Sequence, residues 1–353
     1  MNRSRRIFKF AATLFATAGL TANFGVQAQT PSASPQVLNL YSSRHYQTDE
    51  ALYANFEKTT GIKINRIEAP EDPLIDRLKN EGARSPADVL ITVDMGRLLK
   101  AQQAGLFQPI QSAKLTELIP AELRAADGSW FGFSVRARPI YYRKGKIDPA
   151  QIPDYESLAD AKFKGKICAR SGSHPYNISM LSSIIAAKGP AEAEEWARAV
   201  NDNMARPPKG GDTDQIRAVA AGECDIALGN TYYFARLMKS DKSEDKAVVE
   251  KVGVLFPNQA GVNGRGTHIN ISGAGVTANA PNKANAIKFL EYLASPAAQS
   301  YLANGNNEYP VVGKIDNAAL ITMGSFKRDT LKMEMVGKNY AAAAQMFDRV
   351  GWK

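Results

Sequence analysis

Cysteine and histidine are scarce in this sequence, with two cysteines and three histidines among 353 residues. Two thiols cannot by themselves build a zinc or iron–sulfur centre, whose usual sets need four donors. No uninterrupted apolar run in the body of the chain approaches the ~20 residues that cross a bilayer as a helix. Several enzyme signatures are missing too. There is no Gly-x-Ser-x-Gly elbow, no His-Glu-x-x-His helix and no dinucleotide glycine fingerprint. No catalytic residue is assigned, and an enzyme is the weakest reading. What is present is ordinary globular material, 44% apolar, 22% charged and 8% aromatic. Disordered, collagen-like and coiled-coil chains are excluded by that balance, and the length suits about two domains.

The formal charge of +9 is concentrated in part at the N-terminus. Arg3, Arg5, Arg6 and Lys9 precede an apolar stretch from Phe10 to Leu20, and Val26-Gln27-Ala28 offers side chains suited to signal-peptidase cleavage. Residues 1–28 therefore read as an export signal. Within it, Ser4-Arg5-Arg6-Ile7-Phe8-Lys9 resembles the twin-arginine motif, which sends folded proteins across the bacterial inner membrane. Without these residues, 40 basic side chains face 35 acidic ones, a net +5. They are scattered rather than gathered into a stripe, so nucleic acid is not expected as a partner. The expectation is a soluble, monomeric periplasmic protein with no membrane span in its mature chain. In that oxidising compartment Cys168 and Cys224 read as one disulfide.

Apolar runs of strand length alternate with helical periodicity. Val37 to Tyr41, Ile62 to Ile67 and Ala87 to Val93 read as strands, with helices around Leu52 to Phe56 and from about Asp72 to Glu81. A second alternation follows near Val135. Lys166 to Ala169 and Cys224 to Gly229 read as strands, and Asn177 to Lys188, Ala191 to Asn203 and Asp214 to Ala221 as helices. Two further strand-like segments, Val252 to Pro257 and Ile269 to Val276, could return the chain to the first domain. This is an α/β pattern.

Ala280 to Gln299, with its Ala280-Pro281 start and the Ser295-Pro296 step inside it, resembles the helix pair near the C-terminus of periplasmic solute-binding proteins of type II. The resemblance covers nearly the whole mature chain. It implies two α/β lobes with a hinged interlobe cleft, lobe one at 36–134 plus 265–310 and lobe two at 135–264 plus 311–353.

Within that frame tyrosines carry the chemistry. Tyr232-Tyr233 follows Leu228-Gly229-Asn230-Thr231, a strand end with Thr231 as the expected N-cap. Both rings then fall on the first turn of a helix, where the dipole and unpaired N–H groups favour negative charge. A phenol, with its ordinary pKa near 10, ligates at neutral pH only when a strongly acidic cation displaces the proton. Ferric iron is hard, highly charged and suited to phenolate. Gly229 to Tyr233 resembles the tandem-tyrosine motif of periplasmic ferric-iron-binding proteins, and the loop Ser42 to Asp49 resembles their first metal loop. In Ser171-Gly172-Ser173-His174-Pro175-Tyr176-Asn177, Tyr176 matches the extra tyrosine of cyanobacterial-type members.

The resemblance thus implies His45, Tyr46, Tyr176, Tyr232 and Tyr233 around one Fe(III), carried as transported ligand to an inner-membrane ABC permease, with binding of Fe(II) left open. Four phenolates around Fe(III) leave one net negative charge. Arg136 and Arg236 match the family's neighbouring cations, with Arg138 ranked behind them. His174 and His268 have no comparable support, and Tyr141-Tyr142, in an expected strand, reads as structural. The competing reading in the same fold is an oxyanion or polyamine binder, which would need convergent hydroxyl and amide donors or cleft carboxylates instead of tyrosines.

Overall fold

The computed structural model describes residues 36–44 and 47–353; the export signal, His45 and Tyr46 lie outside the described residues. Among the described residues ten strands form two sheets. β1 (Val37–Ser42), β2 (Lys63–Glu68), β3 (Val89–Thr92) and β4 (Phe131–Ala137) come first in the chain. β5 (Ile140–Arg143), β6 (Ile167–Cys168), β7 (Ile226–Leu228) and β8 (Val252–Leu255) follow. β9 (Ile269–Val276) and β10 (Tyr309–Pro310) complete the set.

The first sheet has the order β10-β4-β9-β3-β1-β2 and the second β6-β7-β5-β8. β1 runs parallel to β2 and β3, whereas β9 lies antiparallel between β3 and β4. Of the two segments expected to return the chain, only β9 rejoins the first sheet; β8 pairs with β5 in the second.

Each sheet has its own core. Leu38, Leu40, Phe56, Val89, Leu90 and Ile271 pack around the first. The second is covered on both faces, and alternation along β5 sorts side chains between them. Ile140 joins Ile167, Ile226 and Trp196 on one face, and Tyr141 joins Cys168, Cys224 and Phe234 on the other. Cys168 and Cys224 form a disulfide with a Cα–Cα distance of 5.9 Å. Among the described residues no helix is long and apolar enough to cross a membrane.

Candidate metal centre

Two helix N-termini in the second lobe present the tyrosines. The helix Pro175–Lys188 starts two residues earlier than its apolar periodicity indicates, which puts Tyr176 in its first turn. Proline suits the first helical position because its missing N–H has no helical partner there. His174 caps the helix, its Nδ1 accepting from the Tyr176 N–H at 3.3 Å. Burial, then the Arg170 and Arg138 guanidiniums, push the His174 pKa down to about 3, so this ring is neutral at physiological pH. Gly172, in the loop before the helix, lies so close to the Trp352 carbonyl and the Phe347 side chain that a Cβ there would clash. The Trp352 indole donates to the Arg170 carbonyl at 3.0 Å, so the C-terminal segment buttresses this loop.

Tyr232 and Tyr233 occupy the second and third positions of the helix Thr231–Met238. The N-cap is Asn230, not Thr231, and its side chain makes no capping bond. The Asn230 Oδ1 instead accepts from Arg138 Nη1 at 3.0 Å. The Tyr232 and Tyr233 ring centroids are 4.3 Å apart, and the Tyr232 hydroxyl donates to the Tyr176 hydroxyl at 2.8 Å. Three phenols thus converge from two helices. The Arg236 guanidinium, on an exposed residue, lies 5.2 and 5.7 Å from the Tyr232 and Tyr233 ring centroids. Arg170, which the sequence analysis did not single out, lies 5.4 Å from the Tyr176 ring.

Arg136 belongs to a different surrounding. It is buried beside the first sheet, donating to Ser272 Oγ at 2.9 Å and the Ile271 carbonyl at 3.1 Å, with Glu308 3.6 Å away. Arg44 joins the same cluster, paired with Asp49 at 2.9 Å and Glu308 at 3.0 Å. Arg44 and Asp49 flank the His45-Tyr46 segment, so the chain on either side of it is pinned by a buried ion pair. Arg44 and Asp49 lie in the loop compared with the family's first metal loop but were given no role there, and Glu308 carried no signal in the sequence.

Arg138, ranked behind Arg136 in sequence, is the one that reaches the tyrosine helices, bonded to Asp212, Asn230 and Asn177. Tyr141 and Tyr142 stay away from the tyrosine group as ligands, Tyr141 being wholly buried in the core. His268 is buried beside Ser179 Oγ at 3.0 Å.

A cleft of about 580 Å³ connects the two lobes in front of Tyr176. Ser43, Glu68, Glu71 and Asp94 line one side and His174, Pro175 and Tyr176 the other. Burial, then the Asp94 carboxylate, raise the Glu71 pKa above the ordinary range. At the cleft, the Tyr340 hydroxyl sits 2.5 Å from Asp94 Oδ2 and 2.8 Å from the Pro175 carbonyl. Among the described residues no group of three His, Cys, Asp or Glu side chains is placed to hold a metal; the convergent donors are phenols.

Two sheeted lobes with polar and aromatic groups facing a shared cleft define the architecture of a solute-binding protein. Residues 51–331 match the family described as bacterial extracellular solute-binding protein. The chain belongs to that family. It is 47% identical to Iron uptake protein A1 of Synechocystis sp. over 99% of both chains. Identity to Iron uptake protein A2 of the same organism is 48%, again over 99% of both. Among solved structures, the Trichodesmium protein IdiA (FutA), in complex with iron and citrate ligands, superposes with a TM-score of 0.85. It is 56% identical, and the match covers 90% of this chain and 100% of that one.

Proposed function

We propose that this protein captures ferric iron in the periplasm through tyrosinates in the interlobe cleft and delivers it to an inner-membrane ABC permease. The observation that carries this reading is the convergence of Tyr176, Tyr232 and Tyr233 on two helix N-termini, with the Tyr232 and Tyr176 oxygens 2.8 Å apart. Two phenol oxygens within hydrogen-bond distance of each other are also close enough to bind one trivalent cation, which displaces their protons. The relatives named for iron uptake, and the neighbour holding iron, agree with this cargo.

In the proposed ligand set, His45 and Tyr46 come from the loop after β1 and meet the three phenolates of the second lobe. The lobes are taken as 36–134 plus 265–310 and 135–264 plus 311–353, moving about the crossing strands so that both halves close on the ion. Fe(III) with four phenolates carries one net negative charge, and Arg236 over the paired rings lies where it offsets that charge. The protein acts as a carrier: iron leaves by lobe opening, by protonation of the phenolates, or by reduction, since phenolate favours Fe(III) over Fe(II). Export uses the twin-arginine route, and a reporter fused to residues 1–30 should lose export when Arg5 and Arg6 are both changed to Lys.

The deciding experiment is a visible absorption titration of mature protein with ferric citrate, beside a Tyr232→Phe, Tyr233→Phe variant. A broad tyrosinate-to-iron charge-transfer band saturating near one equivalent, and missing from the variant, is expected. A wild-type protein without the band would overturn the reading.

A further inference from the structure

Asp212 is fully buried and is shared by donors from three separate chain segments. Its Oδ2 accepts from Arg138 Nη1 at 3.1 Å and from the Asn230 N–H at 2.8 Å, and its Oδ1 accepts from Arg170 Nη1 at 3.2 Å. Arg138 extends the network. Its Nη1 also donates to Asn230 Oδ1 at 3.0 Å, and its Nη2 donates to Asn177 Oδ1 at 2.5 Å. The Asn177 amide then donates to the Arg170 and Ser171 carbonyls, at 3.0 Å each.

These bonds join the two helix starts. Asn230 is the N-cap of the helix with Tyr232 and Tyr233, and Asn177 directly follows Tyr176 in the other. A third contact fixes the floor: Gly229 has Asp212 Cβ and the Tyr141 ring where its own Cβ would sit, at 3.3 and 3.0 Å, so the strand end and the carboxylate pack without a gap. The Arg138–Asp212–Arg170 group also carries one excess positive charge, close beneath side chains that must become anions.

We propose that Asp212, acting with Arg138, is the positioning residue that holds Tyr176, Tyr232 and Tyr233 as one preformed half-site. This inference rests on the ferric reading above. A buried carboxylate is costly unless fully bonded, and here every bond it makes serves to set one tyrosine-bearing turn against the other. The second lobe therefore presents three aligned phenols before the first lobe closes, and the ordering of those rings is settled in the folded protein instead of being charged to iron binding. The effect of Asp212 on the phenols passes through Asn230, Arg138 and Arg170.

The test uses the full mature chain titrated with ferric citrate, read by the charge-transfer band and its wavelength, with a thermal melt as the check on folding. Asp212→Asn is expected to weaken ferric binding by about 10–100-fold, the range typical of residues that orient metal ligands, and to displace the band. Asn177→Ala leaves the Arg138–Asp212 pair in place and cuts only the arm to the Tyr176 helix. It should displace the band in the same direction by less, and it decides the matter if Asp212→Asn does not fold. In a double-mutant cycle, the effect of Asp212→Asn should shrink in a Tyr176→Phe background. A folded Asp212→Asn or Asn177→Ala protein with the wild-type band and affinity, or losses that simply add in the cycle, would overturn the positioning role. A wild-type protein with no band at all would instead remove the ferric reading on which it stands.

Discussion

The chain contains two tandem tyrosine pairs, and the backbone beneath them makes them chemically different. Tyr141-Tyr142 lies on β5, where successive side chains point to opposite faces. Tyr141 packs into the core with its ring 5.3 Å from Phe234, and its hydroxyl donates to the Asn230 carbonyl at 3.1 Å. Tyr142 turns to the other face, against Gly253. Burial, and then the Asp212 carboxylate, push the Tyr141 pKa well above the ordinary phenol range, so it stays protonated. Tyr232-Tyr233 lies on the first turn of a helix, and its rings stay 4.3 Å apart. Side chains on a helix lean toward its N-terminus, which gathers neighbours that a strand would separate. An identical dipeptide is thus a packing element in one place and, in the other, a pair of neighbouring rings of which one meets the Tyr176 hydroxyl. The two pairs are also linked: Tyr141 bonds the carbonyl of the residue that caps the second pair's helix, so the strand pair supports the helical one.

The largest expected effect breaks this contrast at its root. Tyr232→Phe with Tyr233→Phe should abolish the ferric charge-transfer band, whereas Tyr141→Phe with Tyr142→Phe should keep it at one equivalent; equal loss in both would show that the strand pair also reaches the ion. Acidification comes next. Each phenol that gives up a proton to iron makes apparent affinity fall by about tenfold per pH unit, so the four tyrosines of the proposed set predict roughly a ten-thousandfold loss from pH 7 to pH 6. Competition with a chelator across that range measures it. Tyr176→Phe should make the slope shallower by about one unit, and His174→Gln should leave it unchanged, because the His174 pKa near 3 keeps that ring neutral throughout.

Smaller effects probe the scaffold. Replacing Cys168 and Cys224 by Ser opens a link between residues 56 apart. It should cost about 4 kcal/mol in the chain-entropy treatment, seen as a lower melting temperature under non-reducing conditions, with the band retained. Tyr141→Phe alone removes the bond to the Asn230 carbonyl and should cost about 1 kcal/mol in denaturant unfolding. Tyr142→Phe, half-buried with no hydrogen bond to lose in the core, should fall within about 0.5 kcal/mol of wild type.

Much of the scaffold was readable from local pattern. The nearly all-apolar run at Ala87 to Val93 contains β3 (Val89–Thr92), buried along its length, because a strand covered on both faces needs no polar alternation. The strand-to-helix junction before Tyr232 was legible from Leu228-Gly229-Asn230-Thr231, yet the cap was displaced by one residue. Asn and Thr are both good N-caps, and here Arg138 takes the Asn230 side chain, a partner 92 residues away in sequence. The start of the Tyr176 helix was missed because a histidine serves as its cap. The ranking of Arg136 above Arg138 shows the same limit. Arg136 lies in β4 and Arg138 just past its end, so a strand pattern points them the same way, but Arg136 meets Glu308 beside the first sheet and Arg138 meets Asp212 beside the second.

By itself the sequence determined the alternation of strand and helix and the supply of tyrosines at a helix start, because each depends on neighbours within a turn or two. Only the tertiary structure decided that β9 inserts between β3 and β4, that Tyr176 meets Tyr232 across 56 residues, and that Asp212 bonds both helix starts. Those outcomes depend on which surfaces bury each other when the chain closes, and local periodicity carries no record of a partner that far away.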